Sequence, residues 1–325
     1  MLSRVANAVY WLNRYVERAE NVARFLSVNQ NLTLDLRADE ADQWRPLVIT
    51  TGDQAAFEAR YDQASPENVM HFLTFDRDNP NSILSSLTAA RENARSVREI
   101  ISSEMWEQIN RTYLMVSDAA RHNRVPSHPH DFYQDVKMAS HLFVGLMEST
   151  MSHNEAWHFG RVGRLCERAD KTARIVDVKY FILLPSVEDV GSTYDTILWS
   201  ALLKSASAFE MYRKRYRAVR PEKVCEFLIL DRQFPRSMAG CLVLAESSLH
   251  SITGTPIGSF ANAAERTLGQ LRWDLAYAQI DEIIAGGLHE YLDNFQTRLN
   301  RVGQAIHQTF FAFKALPATT RASGQ

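Results

Sequence analysis

Arg14-x-x-Glu17-Arg18-Ala19-Glu20-x-x-x-Arg24 returns 150 residues later as Arg164-x-x-Glu167-Arg168-Ala169-Asp170-x-x-x-Arg174, with the same spacing throughout. A second block, Pro66-Glu67-x-Val69-x-x-Phe72-Leu73-x-x-Asp76-Arg77-x-x-Pro80-x-Ser82, returns 155 residues later from Pro221 to Ser237. Between them, Trp44-x-x-Leu47 matches Trp199-x-x-Leu202 at the same 155-residue offset. Internal repetition has to be read before any single motif, and this pattern predicts two tandem copies of one unit. Repeat one spans about 1–150 and repeat two about 151–316, followed by a disordered tail over 317–325. Two such units are expected to pack about a pseudo-twofold axis as one integrated domain, by the geometry that closes a homodimer.

The unit is helical. Val5, Val9, Leu12, Val16, Ala19, Ala23 and Leu26 recur at three- and four-residue intervals, and Val162, Cys166, Ala169, Ala173 and Val176 repeat that stripe. With 13 Gly and 10 Pro in 325 residues, the fold class expected is all-α, a helical bundle of two tandem pseudo-symmetric repeats. Long helices are predicted near 2–36, 81–121, 130–151, 153–183, 193–218, 235–250 and 286–314, with shorter ones between. Arg45 to Thr51 also reads as an isolated strand.

Composition excludes several function classes. The 36 Lys and Arg nearly cancel the 38 Asp and Glu, so no global field draws the chain to nucleic acid or anionic lipid. The basic stretch Arg213 to Arg220 is short and reads as a solvated helix face. Cys166, Cys225 and Cys241 form no C-x-x-C pair, which argues against a disulfide framework and a zinc knuckle. Charged residues interrupt Met1 to Arg18, and no run approaches the ~20 apolar residues of a membrane span. The expected compartment is the cytoplasm.

Opposite the apolar stripe, Asn7, Tyr10, Trp11, Arg14, Glu17, Arg18, Asn21 and Phe25 project together, and Trp157, Arg161, Arg164, Glu167, Arg168 and Lys171 fall on the matching face. The expectation is a polar, partly buried seam in which each Glu lies between arginines at i−3 and i+1, with Glu20 reaching Arg24 at i+4. Three roles are open. The charges could lock the repeats together, or surplus guanidiniums could bind an anionic small molecule or peptide. Glu17 or Glu167 could also act as a general acid or base, a role the adjacent arginines oppose. Candidate ligand-binding residues are therefore Arg14, Glu17, Arg18, Glu20, Arg24, Arg164, Glu167, Arg168, Asp170 and Arg174. To these are added the loop pairs Asp76-Arg77 and Asp231-Arg232, which either line a cleft or fix a turn before Pro80 and Pro235.

Glu155-x-x-His158 has the spacing of a di-iron bundle ligand pair but meets Val5 and Ala8 in the other copy, so no metal is expected. No P-loop, G-x-G-x-x-G or G-x-S-x-G occurs, and no cofactor is indicated.

Met1-Leu2-Ser3-Arg4-Val5-Ala6, the doubled Glu-Arg-Ala motif, Phe75-Asp76-Arg77-Asp78-Asn79-Pro80-Asn81-Ser82-Ile83, Arg91-Glu92-Asn93-Ala94-Arg95, Ile101-Ser102-Ser103-Glu104-Met105-Trp106-Glu107, Phe234-Pro235-Arg236-Ser237 and Gly287-Leu288-His289-Glu290-Tyr291-Leu292 together resemble the bacterial Alpha-E family. The resemblance implies a helical protein encoded beside a circularly permuted ATP-grasp ligase and a transglutaminase-like protein. By that implication the chain is the helical component of a system that makes or modifies an amide or peptide, and binds an anionic substrate or the ligase through its Arg/Glu seam. The alternatives are an autonomous enzyme acting on a peptide or amide with a Glu acid or base, and a structural adaptor; homo-oligomer formation is open in every reading. Asn13 stands where the family pattern leads one to expect Gly before Arg14.

Overall fold

A computed structural model describes residues 1–35, 40–122, 129–182 and 193–312, and among these every regular element is helical. The first half holds α1 (Ser3–Asp35), α2 (Glu40–Thr51), α3 (Gln54–Glu58), α4 (Pro66–Thr74), α5 (Ile83–Ser96), α6 (Ser103–His122) and α7 (Pro129–Thr150). The second holds α8 (Glu155–Ile182), α9 (Thr193–Ser205), α10 (Phe209–Tyr216), α11 (Pro221–Leu230), α12 (Met238–Thr253), α13 (Ala263–Tyr277), α14 (Ile280–Ala285) and α15 (Leu288–Ile306), then a π-helical turn over His307–Phe311.

The centre is the pair α1 and α8. α5 and α7 cover α1, α12 and α15 cover α8, and α2 crosses onto α8 while α9 crosses onto α1. The pair comes close because glycine faces it: a Cβ on Gly163 would stand 2.3 Å from the Tyr10 carbonyl oxygen, and one on Gly160 would stand 2.6 Å from Asn13 Nδ2. Asn13 therefore fills the space Gly160 leaves, which accounts for a side chain at that place. Surrounded in this way, α1 buries its polar flank as well as its apolar stripe: Glu17 and Glu20 are as inaccessible as Leu12 and Ala23.

Local signals start the surrounding helices. Ser82 Oγ accepts from the Ser85 amide and Ser237 Oγ from the Gly240 amide, each satisfying a donor left free in the first turn. Pro80 and Pro235 precede these caps and lie outside the helices; the prolines in the first turn are Pro66 and Pro221. Three expectations are corrected. Arg45 to Thr51 is helical: Trp44, Leu47 and Val48 are buried at helical spacing, and that burial overrides the β-branched run Val48-Ile49-Thr50. The helix expected over 81–121 breaks between Ser96 and Ser103, where Ser102 Oγ caps the Met105 amide. The one expected over 193–218 breaks at Ser207, whose φ of 51° no helix continues. The tail at 317–325 lies outside the described residues.

Candidate functional site

The seam forms, but Glu17 and Glu167 take their arginines from the facing helix and not from their own. Arg168 forks onto Glu17, Nε to Oε1 at 2.8 Å and Nη2 to Oε2 at 2.7 Å. Arg18 forks onto Glu167, Nε to Oε1 at 2.7 Å and Nη2 to Oε2 at 3.0 Å. The expected clasp of each Glu by its own i−3 and i+1 arginines is thus replaced by exchange across α1 and α8. The i+1 arginine points away from its own Glu around the helix axis, whereas its long guanidinium reaches the facing helix in bidentate geometry. Glu20 does pair with Arg24 at i+4, and Asp170 accepts from Arg174 Nε at 2.9 Å.

Arg236 and Asn81, outside the seam drawn from the sequence, complete it. Arg236 donates from Nη1 to Glu17 at 3.1 Å and from Nη2 to the Glu20 carboxylate at 2.9 and 2.7 Å. At the matching place 155 residues earlier, Asn81 accepts from Arg18 Nη1 at 2.8 Å and donates to Asp53 at 2.7 Å. Lys171 approaches Glu167 at 3.9 Å and Asp170 at 3.6 Å. Both Asn81 and Arg236 occupy the variable place in Pro-x-Ser, where the two copies differ.

The loop pairs stay in their turns. Asp76 accepts from the Asp78 amide at 2.8 Å and pairs with Arg60; Asp231 accepts from the Gln233 and Phe234 amides at 2.8 and 2.6 Å and pairs with Arg215. Arg232 donates to the Ala276 carbonyl and Arg77 is exposed. None of the four touches a seam carboxylate. The two Asp side chains hold the turns they begin, as Asp favours.

Burial alone would raise the Glu17 carboxyl, but Arg168 and Arg236 together outweigh it and hold it below the ordinary carboxylate range. Glu167 is held down against burial by Arg18, Arg14 and Lys171, and Glu20 by Arg236 and Arg24. These groups stay ionised at neutral pH, which disfavours general-acid work by Glu17 or Glu167. Burial pushes the Cys166 thiol up to about 11 and the Tyr10 hydroxyl up to about 12, so neither is ionised for nucleophilic use.

The arginines one turn before the Glu-Arg pairs diverge. Arg164 turns away from Glu17 and donates to Glu148 on α7 at 3.1 Å; its Nε and Nη1 have no hydrogen-bond partner among the described residues. Arg14 instead joins Arg18 on Glu167, at 2.9 Å from Nε and 2.8 Å from Nη2, and its guanidinium lies 4.8 Å from the Trp11 ring centroid. It also borders a cleft of about 470 Å³ between α1, α8, α15 and the π-helical turn. Tyr10, Trp11 and Phe311 supply aromatic wall; Asn300, Gln304 and Gln308 supply amides; Asp170 and His307 complete the polar rim. A π-turn at its mouth fits a common use of that irregularity at functional sites.

The family model described as Alpha-E, a predicted alpha-helical domain with a conserved ER motif, matches residues 1–311. The chain belongs to the Alpha-E family. No curated protein and no solved structure shows significant similarity to it. In this Alpha-E chain the Glu-Arg pairs Glu17-Arg18 and Glu167-Arg168 are the crossed forks at the centre of the fold, and the cleft lies beside them. Among the described residues, no helix is long and apolar enough to cross a membrane.

Proposed function

We propose that this Alpha-E protein is the non-ATP-binding, helical component of an ATP-grasp-associated system that makes or modifies an amide or peptide. Its task is to hold an anionic substrate or product in the Arg14 cleft. The observation that carries this reading is the cleft itself, in which one guanidinium faces a rim of amide and aromatic side chains. Pockets for small ligands have this make-up: apolar walls and a few placed polar groups. The crossed forks support a view of the two halves as pseudo-symmetric repeats whose Glu-Arg motif locks them together, leaving recognition to the flank. The three cysteines are free and buried, which suits the reducing cytoplasm in which we place the protein.

Partnership with a circularly permuted ATP-grasp ligase and a transglutaminase-like protein is tested by co-purification from cells expressing the neighbouring genes. Recovery of the ligase with the full chain, together with anion binding by the chain alone and no turnover by it, is the expected result. Amide formation or hydrolysis by the isolated chain would overturn the reading in favour of an autonomous enzyme.

A further inference from the structure

Gly303 lies within α15 at a backbone conformation that does not call for glycine, and a Cβ there would meet nothing closer than Arg14 Nη1 at 4.0 Å. A glycine inside a helix weakens it, and here neither backbone nor packing demands one. Its counterpart is informative. Glu148 on α7 lies 155 residues earlier, the interval that separates the second pair of sequence blocks, and its carboxylate is the group that meets Arg164. In one half, then, a covering helix supplies a carboxylate to the arginine that precedes the Glu-Arg pair. In the other half that position is empty of side chain and the space above the guanidinium is the cleft.

A guanidinium has five N–H donors. Glu167 takes those at Nε and Nη2 of Arg14, and Tyr10 Oη one at Nη1 at 3.3 Å. One N–H on each terminal nitrogen remains to be met by a further acceptor, and a carboxylate has two oxygens to offer. The side chain is 18% exposed, against 8% for Arg164, and it lines the cleft. The rim carries little positive charge: among the described lining residues Arg14 is the one Lys or Arg, and the carboxylate of Asp170 is paired with Arg174 and Lys171. A phosphate dianion or polyphosphate would find one guanidinium, already shared with Glu167, to balance its charge.

Resting on the reading of the cleft as the ligand site, we propose that it takes a single carboxylate at the end of a short peptide or N-acyl amino acid. The carboxylate sits on Arg14 where Glu148 sits on Arg164, the amides lie along Asn300 and Gln304, and an apolar side chain lies against Trp11 and Phe311.

The full chain and its Gly303→Glu and Gly303→Gln variants test this with three probes: a mixed-sequence tripeptide library with free C-termini, the same library amidated, and inorganic phosphate. Free-acid tripeptides are expected to bind, amidated ones to bind about tenfold or more weakly, and phosphate to compete poorly. Gly303→Glu is expected to abolish binding and to melt higher than Gly303→Gln, because it places a carboxylate where the ligand's would be. Equal melting of the two variants, equal binding of acid and amide, or failure of the free acids to bind each overturns the proposal. Tight phosphate binding with no tripeptide binding would overturn it while leaving an anion cleft in place. Failure of every probe, with the variants melting alike, would remove the cleft reading as well.

Discussion

Arg18 on Glu167 and Arg168 on Glu17 have the same bidentate geometry, with distances that agree within a few tenths of an ångström. One turn away the likeness ends: Arg14 shares Glu167 and faces an open cleft, while Arg164 is more deeply enclosed and meets a side chain of its own protein. The difference leaves two environments within one charged face. Where the copies agree, the groups satisfy one another completely and can do little else. Where they differ, donors are left over.

The comparison breaks most visibly at its matched centre. Glu17→Ala leaves Arg168 and Arg236 buried without their shared carboxylate, and Glu167→Ala does the same to Arg18 and Arg14. Each is expected to lose about 3–5 kcal/mol in urea unfolding, as breaking a buried pair does. A loss confined to one of the two would show that the forks are not equivalent.

The flanks should respond unequally. Arg14→Met removes one of two arginines from Glu167 but leaves the Arg18 fork, and is expected to cost about 1–3 kcal/mol. Arg164→Met removes a buried guanidinium with two unpartnered nitrogens, whose charge burial and the nearby Arg168 already oppose. Replacement of such a group by an apolar side chain of similar volume is expected to be neutral or stabilising. Equal losses at both positions in the same denaturant titration would remove the distinction between flanks.

The seam was legible in the sequence because identical residues recurred at identical spacing, and the core stripe because its period is that of a helix. Its exchange across two helices was not, since i−3 and i+1 neighbours on one helix look adequate until the partner helix is in place. The repeat does not mark Arg236 and Asn81 as seam residues, because it picks out what the copies share and these positions are where they differ. The cleft depends on Gly303, whose contribution is an absent side chain. Helix breaks at 97–102 and near Ser207 carry neither Gly nor Pro, so the usual punctuation was missing.

A smaller effect is expected at the paired caps. Ser82→Ala and Ser237→Ala each remove the acceptor for a first-turn amide, a loss of about 1 kcal/mol. Ser237 also donates to the Asp231 and Phe234 carbonyls, so its replacement should cost the more of the two in thermal unfolding.

The smallest effect concerns the histidines of the two covering helices, α7 and α15. His141 faces Glu20, Glu17, Arg24 and Arg236; burial lowers its pKa, and the carboxylates do not restore it. His289 is hydrogen-bonded to Asp177 at 2.7 Å, and that bond raises its pKa, with Glu290 and Asp293 adding to it. The folded state therefore prefers neutral His141 and charged His289. The contribution of His289 is fully present below about pH 6.5, its unfolded value, and is lost as pH rises through the higher folded pKa. That of His141 is present above about pH 6.5 and is lost as pH falls through its lower folded pKa. Both rings keep about half of their side-chain surface in water, where screening weakens any charge effect. Melting temperatures of His141→Asn and His289→Asn relative to the unaltered chain, followed from about pH 5 to about pH 8, should thus diverge with opposite slopes. His289→Asn should be most damaging at the acid end, while His141→Asn should gain on the unaltered chain there. Slopes of the same sign would show that the two helices cover the seam in electrically equivalent ways.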